Sequence, residues 1–213
     1  MTAVDDAAAA VRRGELIAFP TDTVYGLACR PDDAVATDRA FEAKRRPKGL
    51  TLPVLVPSIA AARDVAVFDD RAERLALALW PGGLTVVLPR SASSASWALG
   101  GTGDSIGLRV PRHPLALAVL RAAGPLAVTS ANRSGEPPAR TCEELCAAFG
   151  DLVSVYLCQE EPLDDDASTV IDLAHGPARL VRAGAVSEAL LTDLLGAEAP
   201  LLDSPSPDVK PSR

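Results

Sequence analysis

Apolar positions along the chain recur at helical spacing in some stretches and in short strand-like runs in others. The helical spacing predicts helices at 4–13, 33–45, 69–80, 113–124, 141–149 and 187–195. The short apolar runs predict strands at 16–20, 51–56, 84–89, 105–110, 125–130, 153–158, 168–173 and 178–184. Because helices and strands alternate irregularly, we expect an α/β fold in which helices pack on one mixed sheet.

Several residues mark the ends of these elements. Gly14 is placed to close the first helix, and Thr141 with Glu144 forms a capping box at the start of the helix 141–149. The polar stretch 21–26 is predicted to be a turn after the first strand. Pro53 favours an edge or irregular position for the strand 51–56, because proline cannot donate a ladder hydrogen bond.

The chain length fits a single domain. Its 213 residues suffice for one core, and the longest apolar runs fall short of the ~18 residues of a membrane span. We expect one domain over 1–196, and a disordered tail over 197–213 because this stretch has four prolines. The first 15 residues contain three acids and no apolar run typical of a signal peptide, so a cytoplasmic protein is expected.

Charge and cysteine usage narrow the candidate functions. A net charge of −7 gives no overall attraction to phosphate backbones. The four cysteines form no C-x-x-C pair, and Cys142 and Cys146 are expected on one helix face as small apolar residues. With only two histidines, no protein metal site is expected. The acidic loop 160–166 is expected to be solvated.

Polar clusters interrupt the apolar segments where strands are predicted to end. They are PTDTVYG, KRRPKG, WPGGLT, TSANRSG, DASTV and LVRAG, and two of the three lysines lie in the second cluster. Each cluster alone could serve a helix cap, a turn or a solvated surface. Together they offer hydroxyls, an amide and cations, which suit a ligand with phosphates and a carboxylate. The phosphate-loop and dinucleotide glycine patterns are absent, so a bound nucleotide would need another scaffold.

Seven motifs follow one another in a characteristic order: PTDTVYGL (20–27), AKRRP (43–47), LWPGGLTVVL (79–88), GLRVPRHP (107–114), TSANRSG (129–135), STVID (168–172) and LVRAG (180–184). Because it carries these motifs in this order, the chain resembles the YrdC/TsaC family of threonylcarbamoyl-AMP synthases over roughly residues 5–190. The resemblance implies a single YrdC-like domain with a twisted mixed sheet flanked by helices and a central positively charged groove. It also implies that L-threonine, bicarbonate and ATP give threonylcarbamoyladenylate and pyrophosphate, for the t6A37 modification of tRNA.

The resemblance also implies roles for individual residues. Thr23 and Ser168 would bind L-threonine, and Lys44 and Arg46 would cradle the triphosphate as catalytic groups. The implied ATP contacts are Arg46, Thr85, Ser130, Asn132 and Arg182, with Arg109 and Arg140 as further candidates. Pairing with Asp22 is an equally weighted structural role for Arg109. Mg²⁺ is expected to arrive with ATP and not at a dedicated protein site, because it keeps several waters.

Two other functions remain open at this stage. A YciO-like or carbamoyl-transfer paralogue would use the same fold on another acceptor, and a non-catalytic protein would bind RNA along the basic groove. The low aromatic content, 4% of residues, disfavours RNA binding by base stacking. The resemblance further implies hand-off of the product to the threonylcarbamoyl transferase complex, with weak RNA binding as an additional candidate interaction.

Overall fold

A computed structural model describes residues 2–163 and 167–196, together with the backbone of 201–202. The strands are β1 (Ile17–Pro20), β2 (Tyr25–Cys29), β3 (Val54–Leu55), β4 (Leu84–Pro89), β5 (Ser105–Arg109), β6 (Leu126–Ser130), β7 (Val155–Tyr156), β8 (Thr169–Asp172), β9 (Arg179–Arg182) and β10 (Leu201–Leu202). The helices are α1 (Ala3–Arg12), α2 (Ala34–Lys44), α3 (Ile59–Val65), α4 (Asp70–Leu79), α5 (Pro114–Ala123), α6 (Cys142–Phe149) and α7 (Glu188–Leu195). A 3-10 turn, Gly150–Leu152, follows α6.

The strands join into one sheet in the order β10-β9-β8-β4-β5-β3-β6-β2-β1-β7. Antiparallel pairs such as β1 with β2 and β4 with β5 occur beside parallel pairs such as β4 with β8. The predicted mixed sheet is therefore confirmed. Only a parallel pair needs a long crossover connection, so the four-residue link between β1 and β2 fits a hairpin.

Both faces of strand β1 are buried. Along β1, Ile17 and Phe19 pack in the apolar cluster formed with α1 and α5, whereas Ala18 belongs to the larger cluster on the other face. Phe41 of α2 and Leu75 of α4 lie in that larger cluster. Side chains alternate between the two faces of a strand, so helices must cover both sides of an apolar strand.

Side-chain caps fix where the helices begin. The predicted capping box is present, because Thr141 Oγ1 accepts from Glu144 N at 3.2 Å and the Glu144 carboxylate accepts from Thr141 N. A second capping box, formed by Thr2 and Asp5, opens α1. These contacts satisfy backbone donors that the first turn of a helix leaves unpaired.

Three local features differ from the predictions. The stretch 21–26 is not a turn throughout, because Tyr25 and Gly26 begin β2 and pair with Pro20 and Phe19. Helix α3 was not predicted, since its seven residues are too few for a clear apolar period. The strand after Pro53 is short but interior, lying between β5 and β6, because the proline precedes the paired residues.

The cysteines also differ from expectation. Cys142 and Cys146 share one face of α6 as predicted, but Cys142 is joined to Cys158 in a disulfide and Cys146 is exposed, so the prediction that they serve as small apolar residues is wrong. The first residue of α6 lies against the segment after β7, which brings together two cysteines separated by 16 positions. Sequence spacing alone does not reveal such tertiary proximity.

The C-terminal prediction is largely outside the described residues. Within the predicted tail 197–213, Leu201–Leu202 form β10, which pairs in parallel with β9. Residues 164–166 of the acidic loop also lie outside the described part of the chain. Across the described residues, the helices are too short or too polar to traverse a bilayer.

Candidate active site

A cavity of about 520 Å³ lies over one face of the central strands. Alternate residues of these strands line it, including Thr85 and Val87 of β4 and Ser105, Gly107 and Arg109 of β5. Alternation places such residues on the same face of the sheet. Thr85 and Arg109 therefore reach the cavity from within strands, whereas Thr23 and Ser168 reach it from the adjoining loops. The volume is within the range of small-molecule sites.

The hairpin turn between β1 and β2 supplies Thr23. Its hydroxyl accepts a hydrogen bond from Arg109 Nη1 at 2.9 Å and lies 3.0 Å from the Thr21 hydroxyl. Arg109 also donates from Nη2 to Asp22 Oδ1 at 2.8 Å and from Nε to the Gly82 carbonyl at 2.9 Å. The Arg109 side chain is only 7% exposed, so its pairing with Asp22 offsets part of the cost of burying the charge.

A second group of polar contacts forms where β8 begins beside β4. The hydroxyls of Thr85 and Ser168 lie 2.9 Å apart. Arg182, at the end of β9, donates from Nη2 to the hydroxyl of Ser168 at 2.9 Å and to its carbonyl at 2.6 Å. All three residues line the cavity. The parallel pairing of β4 with β8 therefore aligns residues far apart in sequence into one polar wall.

Arg46 also lines the cavity, just beyond the end of α2. Its Nη2 donates to the Thr51 carbonyl at 3.2 Å, while its buried Nε has no hydrogen-bond partner. Burial lowers the pKa of Arg46, and the neighbouring Arg182 guanidinium lowers it further. A half-buried cation with an unpaired buried nitrogen is energetically unfavourable until an anion arrives. Arg46 is therefore poised to bind an anionic group.

Lys44 lies behind the cavity wall and not in it. Its side chain is buried, and its amine donates to Asn132 O at 2.8 Å and to Asn132 Oδ1 at 2.9 Å, as well as to the Ser130 carbonyl. The Ser130 hydroxyl in turn donates to Asn132 Oδ1 at 2.6 Å. Of these three residues, Ser130 lines the cavity. In this arrangement Lys44 and Asn132 fix the turn after β6, and their predicted direct contacts with ATP stay predictions.

The buried amine gives a pH-dependent contribution to stability. Burial, with a smaller effect of Arg46, lowers the pKa of Lys44 from 10.5 to about 8. Between these values the unfolded chain binds the proton and the folded chain does not, so the free energy of unfolding should rise with pH. Urea unfolding at several pH values should show this rise in the wild type and lose it in Lys44→Met. Parallel profiles for the two proteins would contradict the assignment.

Arg140 is exposed and outside the cavity wall, with Nε donating to the Leu163 carbonyl at 3.3 Å. Pro138, two residues earlier, does line the cavity. Sequence analysis missed the hydroxyls of Thr21, Thr51 and Thr129, which also line it. Thr21 and Thr129 belong to two of the seven motifs. Their closeness in sequence to Thr23 and Ser130 could have marked them as cavity residues. No comparable signal marked Thr51.

Comparison with known proteins places these motifs in a recognised family. A family model for Sua5, YciO and YrdC proteins, described as telomere recombination, matches residues 9–184. A threonylcarbamoyl-AMP synthase of Klebsiella pneumoniae is 37% identical over 157 residues, covering 72% of this chain and 82% of that protein. The similarity therefore extends over most of both proteins.

Two solved structures share the fold. The crystal structure of Pyrococcus abyssi Sua5 complexed with L-threonine superposes with a TM-score of 0.85 at 33% identity, covering 94% of this chain. This chain spans 58% of that Sua5 chain. E. coli YciO superposes with a TM-score of 0.80 at 28% identity, covering 86% of this chain and 90% of that chain.

Proposed function

The chain belongs to the Sua5/YciO/YrdC family, and we propose that it is an L-threonylcarbamoyladenylate synthase. The observation behind this proposal is the composition of the cavity. Arg46, Arg109 and Arg182 line it together with hydroxyl groups, and its lining holds no acid, histidine or cysteine among the described residues. Such a set suits binding and orientation of anions more than nucleophilic or redox chemistry.

The reaction needs an amino acid, bicarbonate and ATP in one cavity. The amine of L-threonine combines with bicarbonate to form a carbamate with loss of water, and a carbamate oxygen attacks the α-phosphorus of ATP with loss of pyrophosphate. The hydroxyls of Thr23 and Ser168 would bind the threonine. The Arg109 guanidinium, whose Nη1 lies 2.9 Å from the Thr23 hydroxyl, would bind the threonine carboxylate. In this arrangement the protein binds and orients the substrates, and every bond that forms or breaks belongs to the substrates.

The other two cations that line the cavity, Arg46 and Arg182, would bind the nucleotide. Arg46 and Arg182 would neutralise phosphate charge, most strongly as charge moves onto the departing pyrophosphate. Ser130 offers a hydroxyl at the turn that Lys44 fixes. Mg²⁺ would enter with ATP as part of the substrate, since it retains waters and binds phosphate oxygens. We further propose a cytoplasmic protein that hands its product to a threonylcarbamoyl transferase complex for the t6A modification of tRNA.

The test measures pyrophosphate release by the purified chain in the presence of ATP and bicarbonate. Reactions with L-threonine, with L-serine and without an amino acid are compared. We expect release that depends on L-threonine, with threonylcarbamoyladenylate detected by mass spectrometry.

The structural similarity to YciO favours one second candidate, an enzyme that uses the same cavity for another acceptor. Release independent of threonine would favour that candidate. No release from folded protein, with RNA affinity that falls with salt, would favour RNA binding.

Gly184 allows the close approach that fixes Ser168. A Cβ added at Gly184 would lie 2.2 Å from the Ala167 carbonyl oxygen and 2.7 Å from the Ser168 carbonyl carbon. Both neighbours are backbone atoms, so Gly184→Ala should displace Ser168 and raise the KM for L-threonine about tenfold. The KM for ATP should change less. Steady-state kinetics with each substrate varied in turn provides the measurement.

Gly49 is the matched control for this substitution. An added Cβ there meets nothing within 4 Å, so Gly49→Ala should retain both KM values. Equal increases in the KM for threonine and ATP in Gly184→Ala would indicate general distortion and would contradict a specific effect on Ser168.

A further inference from the structure

Three of the four cysteines gather at the start of α6, outside the cavity. Cys142 is bonded to Cys158, with their Cα atoms 5.5 Å apart, which is an ordinary separation for a disulfide. The sulfur of Cys146 lies 4.0 Å from that of Cys142. Cys29, by contrast, is fully buried in the core. The cluster therefore combines a disulfide with a free thiol at its edge.

The free thiol is accessible to solvent. Cys146 is exposed and lies one helical turn after Cys142, so both side chains project from the same helix face. Cys158 is also exposed. A thiolate exchanges with a disulfide by attacking one of its sulfurs, and the rate depends on proximity and access. Both conditions are met at Cys142.

We propose that Cys142, Cys146 and Cys158 form a thiol–disulfide exchange site. The Cys146 thiol releases its proton to solvent, and the resulting thiolate attacks Cys142 Sγ. A Cys142–Cys146 bond forms, the Cys142–Cys158 bond breaks, and Cys158 leaves as a thiolate that takes up a proton. This step is an isomerisation without net oxidation. An external dithiol can then reduce the disulfide to two thiols while it is itself oxidised to a disulfide.

The exchange breaks the covalent link between two segments that lie next to the cavity. Gln159, directly after Cys158, donates from its backbone N to the hydroxyl of Tyr25, which lines the cavity. Leu163 N donates to the Arg140 carbonyl at 3.1 Å, and Ser168 follows five positions later along the chain. The Cys142–Cys158 bond adds a covalent link between the same two segments. Release of Cys158 should therefore loosen residues 158–163 and their contact with Tyr25 in the cavity wall.

Peptide mapping of the whole chain tests the exchange without reference to catalysis. The native protein, purified without reductant, is treated with iodoacetamide and cut with Glu-C and chymotrypsin. Glu143 and Glu144 separate Cys142 from Cys146, and Phe149 and Tyr156 separate Cys146 from Cys158. We expect a main species with Cys142 linked to Cys158 and Cys146 labelled, and a second species with Cys142 linked to Cys146 and Cys158 labelled. After dithiothreitol, all three cysteines should be labelled.

Two variants make the mapping decisive. Cys146→Ser should retain the Cys142–Cys158 link, lose the second species and leave Cys158 unlabelled. Cys29→Ser should give the wild-type pattern, because Cys29 is buried away from the cluster. The proposal is overturned if the Cys142–Cys146 link is absent from the wild type. It is also overturned if Cys158 is labelled equally in the wild type and in Cys146→Ser.

The effect on the cavity is measured separately and depends on the proposed function. The KM for L-threonine should increase at least about fivefold in Cys158→Ser and in reduced wild type, relative to oxidised wild type. Equal KM values would overturn the coupling to the cavity. If no form of the protein releases pyrophosphate, the proposed function fails, while the peptide map still decides the exchange.

Discussion

Replacing Arg46 by alanine should lower the turnover number for threonine-dependent pyrophosphate release about 10²- to 10³-fold. Arg46 lines the cavity with a buried Nε that has no protein partner, so its charge is available to phosphate oxygens. Charge on the leaving pyrophosphate increases in the transition state, and loss of a positioned cation therefore affects turnover more than binding. Initial-rate kinetics at saturating threonine and ATP measures the effect.

The neighbouring Arg45 provides the control for charge. It is exposed and caps α2 in a left-handed conformation, with φ at 53°. Arg45→Ala removes the same charge from outside the cavity wall and should change turnover by less than about twofold. Arg46→Ala should unfold at nearly the wild-type urea concentration, since burial of its cation is unfavourable without a ligand. Similar turnover in the two variants would refute the role of Arg46.

Replacing Arg109 by methionine should lower the free energy of unfolding by about 3 kcal/mol. The substitution leaves the Asp22 carboxylate, only 19% exposed, without its guanidinium partner. It also removes the donors to the Thr23 hydroxyl and the Gly82 carbonyl. The turn that presents Thr23 to the cavity should therefore lose both its position and its stability. Urea unfolding followed by circular dichroism provides the measurement.

A double-mutant cycle with Asp22→Asn separates the ion pair from the other contacts. If the pair contributes as described, the double variant should lose less stability than the sum of the two single variants, by about 1–3 kcal/mol. Arg112→Ala is a suitable control, because the Arg112 side chain is exposed and only its backbone N donates to Asp22. Additive losses would show that Arg109 and Asp22 act independently.

The order of helices and strands was largely evident from the sequence. The apolar spacing predicted α2, α4, α5 and α7 to within a few residues, and the Thr141–Glu144 capping box located the start of α6. These features depend on contacts within a few residues. Helix α3 and strand β2 were missed because short elements depend on tertiary packing more than on local periodicity.

The sequence by itself determined the mixed α/β class, the motif order that marks the family and most of the polar residues that line the cavity. The tertiary structure alone decided that Arg46 faces the cavity whereas Lys44 lies behind its wall, although two positions separate them. It also decided that Arg109 pairs with Asp22 and that Cys142 bonds to Cys158. Motifs specify which chemical groups are present, but strand pairing and burial determine which atoms meet and which charges remain unpaired.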